Sequence, residues 1–251
     1  MKKSIVFGAL ALAGAAFAVE SAVVGYENVE RSDNYVFSGS MFLTPGQTSY
    51  KLNDITVSGA DDEGVDFIQF LKPGTSRLNN AESYYFDGDV WCHKYNVAGV
   101  CEADDEIDDD YTIDAGNGFL ARFSTVGAAF LYSGQVNAGA NSVIEVPRTQ
   151  NFQLVINPLP RAVDLTELTV EDADEEGADF LQFFIAGTSR LSNALSYYYD
   201  GEDWCHKYNV AGVCEADDVV EASECVILPG EGFMLRCGTA GAVVKFPAPE
   251  L

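Results

Sequence analysis

Residues 64–105 read GVDFIQFLKPGTSRLNNAESYYFDGDVWCHKYNVAGVCEADD, and residues 177–218 read GADFLQFFIAGTSRLSNALSYYYDGEDWCHKYNVAGVCEADD, at a constant offset of 113 with no gap. About three-quarters of the positions are identical. Self-similarity of that extent marks an internal duplication. The match weakens but continues upstream, where Pro45 falls on Pro158 and LNDITV (52–57) on LTELTV (165–170). Downstream, after a one-residue insertion, GNGFLAR (116–122) falls on GEGFMLR (230–236). Each copy is therefore a complete module of ordinary domain size rather than a supersecondary fragment.

Within a module the apolar runs are short and rich in β-branched and aromatic residues. They include ITV (55–57), DFIQFL (66–71), SYYF (83–86) and GFLARF (118–123), each bounded by Gly, Asp, Asn or Pro. That pattern belongs to strands. Residues 76–82 could form at most one turn of helix. Asp87-Gly88 and Asp200-Gly201 carry the chemistry of hairpin turns that need positive φ. The expectation is an all-β class, with two tandem homologous antiparallel β-sandwich or small-barrel modules.

The amino terminus has Lys2 and Lys3, an apolar run over residues 5–17 and the small-residue site Ala16-Phe17-Ala18. These read as a signal peptide cleaved before Val19. The chain divides into a signal peptide (1–18), module 1 (19–134), a small, polar linker (135–142) and module 2 (143–251). No later stretch is apolar for the roughly 20 residues a membrane helix needs, and no cysteine follows the signal to carry a lipid. The product is expected to be exported and soluble, at the cell surface, in the periplasm or outside the cell.

The chain holds 39 acidic and 14 basic residues, a formal charge of −25 that becomes −27 once Lys2 and Lys3 leave. A field of that sign repels phosphate backbones and anionic membranes, so neither nucleic acid binding nor membrane insertion is expected. Five acidic clusters could offer Ca²⁺ oxygen ligands: Asp61-Asp62-Glu63, Asp104-Asp105-Glu106, Asp108-Asp109-Asp110, Asp174-Glu175-Glu176 and Asp217-Asp218. None has the ordered spacing of an EF-hand loop, so solvated charged loops are the favoured reading and no cofactor is assigned.

Six cysteines in an exported chain point to disulfides. Cys92 and Cys101 recur as Cys205 and Cys214, so each module is expected to close its own small loop. A zinc site from Cys92, His93 and Cys101 has the wrong form, because adjacent Cys and His rarely reach one ion together. The third pair, Cys225 and Cys237, falls on Tyr111 and Phe123 of module 1 and flanks PGEG (229–232) symmetrically. A hairpin turning there would bring the two together as a disulfide in place of an aromatic cross-strand pair.

The succession NPL (157–159), YYYDG (197–201) with Trp204, and LPGEGF (228–233) resembles a repeat of uncharacterised exported bacterial proteins with NPL, YxxDGxxW and LxPGxGFxL landmarks. Module 1 departs from it, with TPG (44–46) and IDAGNGF (113–119) at the first and last landmarks. The resemblance implies a β-module and no activity, since its landmarks are turn glycines and core aromatics.

No nucleophile elbow, HExxH or phosphate-binding glycine loop occurs, and the only histidines, His93 and His206, adjoin cysteines. The chain is therefore read as non-enzymatic. The first expectation is a self-assembling subunit of a surface layer or fibre, built on quasi-equivalent module surfaces. The alternative is an adhesion module that binds glycans or Ca²⁺, with sugar stacking on Tyr84, Tyr85, Phe86, Trp91 and their twins, although core packing is the favoured reading of those aromatics. Residues 74–105 have diverged far less from their twin than the flanks have, either because that surface is used twice or because gene conversion has refreshed it; if it is used, the interaction residues are sought there. The candidates are Arg77, Trp91, His93, Lys94 and Tyr95, with Arg190, Trp204, His206, Lys207 and Tyr208.

Overall fold

The structure is a computed structural model that describes residues 24–30, 35–94, 101–108, 111–136, 143–207 and 214–248. The signal segment, Tyr95, Tyr208 and most of the linker lie outside the described residues. In the first half the strands are β1 (Val24–Glu30), β2 (Tyr35–Ser38), β3 (Phe42–Leu43), β4 (Ser49–Lys51), β5 (Ile55–Ser58), β6 (Phe67–Leu71), β7 (Leu78–Phe86), β8 (Trp91–His93), β9 (Thr112–Asp114), β10 (Phe119–Arg122) and β11 (Ala129–Val136). In the second they are β12 (Ile144–Pro147), β13 (Phe152–Ile156), β14 (Val163–Asp164), β15 (Thr169–Glu171), β16 (Phe180–Phe184), β17 (Leu191–Tyr199), β18 (Trp204–His206), β19 (Val226–Ile227), β20 (Gly232–Arg236) and β21 (Val243–Phe246).

The all-β, antiparallel class holds, with 46% strand and 3% helix. The duplication is repeated in the topology. The five-stranded sheet β2-β10-β6-β7-β8 of module 1 recurs as β13-β20-β16-β17-β18, and the ribbon β4-β9 as β14-β19. The third sheet joins β11 to β1, β3 and β5 in module 1, and β21 to β12 and β15 in module 2. The finer expectation of two sandwiches or barrels is corrected. The four larger sheets stand in a propeller-like arrangement that does not separate into two clear sandwiches.

Three boundary expectations also change. Leu78–Glu82 belongs to β7, because pairing with β6 on both sides of a bulge, Leu71 with Leu78 and Gln69 with Ser83, outweighs a weak local helix preference. Strand β11 runs through Gln135 and Val136, which pair with β1 or β3, so the linker begins later than expected. The hairpin around PGEG does not form: β19 pairs with β14 while β20 pairs with β13 and β16, so the two flanking segments enter different sheets. The opening strand β1 pairs with β11 inside its own module.

Strand alternation sorts the side chains of each five-stranded sheet into two faces. In module 1 the inner face carries Val36, Ile68, Tyr84, Phe119 and Ala121 into a core with Phe130 and Tyr132 of β11. Module 2 builds the equivalent core from Val155, Leu181, Tyr197, Phe233, Leu235 and Val244.

The outer faces meet each other. Phe37, Leu71 and Leu120 of module 1 pack with Leu154 and Met234 of module 2, flanked by Tyr35, Leu78, Phe152, Phe184 and Leu191. These are five corresponding pairs: Phe37 with Leu154, Leu71 with Phe184, Leu120 with Met234, Tyr35 with Phe152 and Leu78 with Leu191. The contact is therefore two-fold, the same patch used from both sides. Hydrogen bonds follow the same symmetry, Gly39 N to Gly230 O at 3.1 Å and Ile156 N to Gly116 O at 2.8 Å. Glycine is required at this approach, since a Cβ on Gly230, already at φ +69°, would lie 2.7 Å from the Gly39 carbonyl oxygen.

Candidate functional site

Away from the contact with the other module, the outer face of the module 1 five-stranded sheet carries a small buried cluster of Phe67, Tyr85 and Cys92, with cationic and polar side chains beside it. Registers place Tyr35 of β2, Arg122 of β10 and Phe67 of β6 side by side across the strands. In module 2, Phe152, Arg236 and Phe180 stand in the same row. The Arg122 guanidinium carbon lies 5.5 Å from the Tyr35 ring centre and 5.2 Å from that of Phe67. Arg236 lies 5.6 Å from Phe152 and 5.2 Å from Phe180. A second cation completes each set, with Lys94 Nζ 4.5 Å from the Phe67 ring centre and Lys207 Nζ 4.7 Å from that of Phe180. Each ammonium also donates to a glycine carbonyl, Lys94 to Gly64 and Lys207 to Gly177. Aromatic faces and a carbonyl thus fix two cations beside one phenylalanine in each module.

Next to them lies a polar row. Gln69 Nε2 donates to Ser83 Oγ at 2.8 Å and to Asn80 Oδ1 at 3.3 Å; Gln182 Nε2 donates to Ser196 Oγ at 2.8 Å. In module 2 these groups enclose an open cleft of about 370 Å³ lined by Gly177, Ala178, Phe180, Gln182, Asn193, Ser196, Lys207 and Arg236. The corresponding residues of module 1 are Gly64, Val65, Phe67, Gln69, Asn80, Ser83, Lys94 and Arg122, so seven of the eight positions are identical. The clefts beside the two-fold contact behave differently. Where one has Pro73, Thr112 and Asn117, the other has Ala186, Val226 and Glu231.

The electrostatics of the site are unusual for so acidic a chain. Among the described residues the ion pairs involve Arg161, His206 and Lys245, and none involves Lys94, Arg122, Lys207 or Arg236. Burial lowers the Lys94 ammonium, the Arg122 charge lowers it further, and Asp61 pulls weakly the other way. Lys207 is lowered in the same order by burial and Arg236, against Asp174. Each pair of cations is thus held close enough to repel, an arrangement that an incoming anion would relieve.

The residues singled out from sequence are distributed over several environments. Lys94 and Lys207 belong to the cleft. Arg77 and Arg190 are exposed beside the β6–β7 and β16–β17 turns, outside its lining. Trp91 and Trp204 are 1% and 3% exposed, and each indole nitrogen donates into the core, to Ile55 O at 2.7 Å and Leu168 O at 2.8 Å. They therefore offer no interaction surface. Tyr84, Tyr85, Tyr197 and Tyr198 are likewise buried as core residues, while Phe86 and Tyr199 are half-buried. His93 packs its ring 4.9 Å from Tyr84, and His206 Nε2 lies 2.9 Å from Glu224 Oε1.

The bridges Cys92–Cys101 and Cys205–Cys214 are formed, each spanning nine positions. The expected third bridge is absent: Cys225 and Cys237 are thiols. Cys225 fills the place of Tyr111 against the equivalent tyrosine, hydrogen-bonding Tyr197 where Tyr111 bonds Tyr84. The ring pair Phe123–Phe130 gives way to Cys237 and Val244. Burial, then Asp164, pushes the Cys225 thiol up to about 12; burial, then Asp179, pushes Cys237 up to about 11. Both stay protonated near neutrality and serve as small core residues.

The acidic clusters are partly occupied with turns. Asp61 Oδ1 accepts the Glu63 and Val65 N–H groups, and Asp174 Oδ1 those of Glu176 and Ala178. Asp87 and Asp200 each approach the two sulfurs of their module's disulfide, which lack the thiolate a metal would need.

Sequence reasoning missed Arg122, Phe67, Gln69, Asn80 and Ser83 with their twins. Their signal was polar, cationic or aromatic identity kept at corresponding positions of strands whose neighbours had changed. The chain matches no protein-family model, no curated protein and no solved structure.

Proposed function

We propose that this chain is an exported, non-enzymatic binding protein that holds acidic groups at two equivalent sites, one per module. One observation carries the reading. Seven of eight cleft positions are the same in both copies while other clefts have diverged, and the shared set contains two cations that enter no ion pair among the described residues. The two disulfides, the signal-like amino terminus and the resemblance to exported bacterial repeat proteins support the location.

Assembly into a layer or fibre, the reading that duplication first invites, would have to use a different surface. The contact between modules is two-fold and closes on itself, so it provides no template for head-to-tail growth. A direct test is NMR titration of the labelled full chain with sodium acetate and sodium sulfate. Shifts should concentrate at Lys94, Arg122, Lys207 and Arg236, and Lys207→Met should silence one set while leaving the other. Shifts spread evenly over the surface, or none at the four cations, would defeat the proposal.

A further inference from the structure

The ligand class can be narrowed from what surrounds the cations, an inference that rests on the two-site reading above. We infer that each cleft takes an acidic saccharide unit: one isolated carboxylate or sulfate on an uncharged, hydroxyl-bearing frame. Three observations lead there.

The first is charge at long range. With a formal −25 on the chain, a polyanion drawn to one cleft must lay its remaining charges against a surface of its own sign. A single acid group meets only Lys207 and Arg236, or Lys94 and Arg122, and leaves nothing else charged to be repelled. Nucleic acids, poly-acidic peptides and a second copy of this chain all fail that condition.

The second is the lining. Beyond the cations the cleft offers the Gln182 and Asn193 amides, the Ser196 hydroxyl and backbone at Gly177 and Ala178. Amides and hydroxyls next to a charge suit a ligand whose neutral part both donates and accepts hydrogen bonds. Gln182 Nε2 and Ser196 Oγ already bond each other at 2.8 Å, which holds the row in place, and an apolar tail would make no use of the polar lining.

The third is size and shape. About 370 Å³ lies at the small end of ligand-binding clefts. The cleft is open, so one or two sugar rings can enter from the end or branch of a chain. The phenylalanine face is already engaged by the cations, so recognition rests on charge and hydrogen bonding rather than ring stacking.

The test is isothermal titration of the full chain with a disaccharide of one glucuronate and one neutral sugar, against its neutral analogue, sodium acetate, heparin and poly-glutamate. The expected result is two equivalent sites, binding at least tenfold tighter than acetate, and no binding of the neutral analogue. Lys94→Met with Lys207→Met should weaken the disaccharide at least tenfold while leaving thermal unfolding in place. Arg122→Met with Arg236→Met gives an independent second variant. If acetate binds at the four cations and the disaccharide binds no better, the saccharide inference fails and the two-site reading survives. If no anion binds, both fail. Heparin or poly-glutamate binding more tightly than the disaccharide would overturn the inference, as would cation-dependent association of two copies.

Discussion

Asp66 and Asp179 show how single residues keep the loops around the clefts in place. Each is nearly buried, at 2% and 6% exposure, and each accepts from segments distant in sequence. Asp66 Oδ1 takes the Ser124 N–H at 2.7 Å and Oδ2 the Asp61 N–H at 2.9 Å; Asp179 takes those of Gly238 and Asp174 at 2.7 and 3.0 Å. Burial alone would raise these carboxyls, but hydrogen bonds from Asp61, Thr125 and Ser124 outweigh it at Asp66. At Asp179 the same balance is reached with Thr239, Asp174 and Gly238. A carboxyl held low in the folded state stabilises above the unfolded value of about 3.9, and that contribution is lost as pH falls through the lower folded value. Stability should therefore be level through neutrality and fall below about pH 4. Asp66→Asn should cost about 2 kcal/mol at pH 7, since an amide N–H would face the Asp61 donor, and it should flatten the acid limb. Urea unfolding from pH 3 to 7 measures both; an unchanged acid limb in the variant would show that Asp66 is not the titrating group.

The hairpins of β7–β8 and β17–β18 were legible because their turn chemistry is local. Asp87 Oδ1 accepts the Asp89 and Val90 N–H groups, and Gly88 sits at φ +104°, as Asp200 and Gly201 do in the twin. The small disulfide loop was legible for the same reason, two cysteines repeated at one spacing. Cys225 and Cys237 misled because symmetric spacing about a Gly-rich turn says nothing about which sheet each arm joins, and the arms here part. The cleft was half legible. Lys94 lies in the nearly repeated segment, but Arg122 reaches it only through the pairing β10–β6, a contact across about fifty residues. From the loop-closure model each nine-position bridge stabilises by roughly 3 kcal/mol. Cys92→Ser with Cys101→Ser should lose about that much in urea unfolding, and so should Cys205→Ser with Cys214→Ser. Thiol counting on the denatured, unreduced chain should return two; a count of zero would mean that Cys225 and Cys237 do pair.

At the scale of the whole molecule the decisive quantity is the apolar seam between modules. Phe37, Leu71, Leu120, Leu154 and Met234 are all under 9% exposed. At roughly 1.5–3 kcal/mol each, their burial is on the order of 10 kcal/mol, comparable to the stability of an entire domain. A contact of that size leaves neither half stable in a form that exposes it, so the two modules should unfold as one unit. The chain provides its own reporters, because it has two tryptophans, Trp91 in one core and Trp204 in the other. In a Trp204→Phe chain the fluorescence follows module 1 alone, and in a Trp91→Phe chain module 2 alone. In each variant the fluorescence and circular dichroism transitions should coincide in urea. Leu120→Asp places a charge at the centre of the seam, opposite the other module, and should cost more than the 2–5 kcal/mol of a simple truncation to alanine. In that background the two single-tryptophan transitions should separate from each other and from the dichroism. Coupling also bears on the clefts, which lie on the same sheet faces as the seam: Arg122 follows Leu120 by two residues and Arg236 follows Met234 by two. Separation of the modules should therefore weaken anion binding at both sites without any change to a lining residue. Transitions already separate in the parent chain would remove the seam as the element that joins the halves.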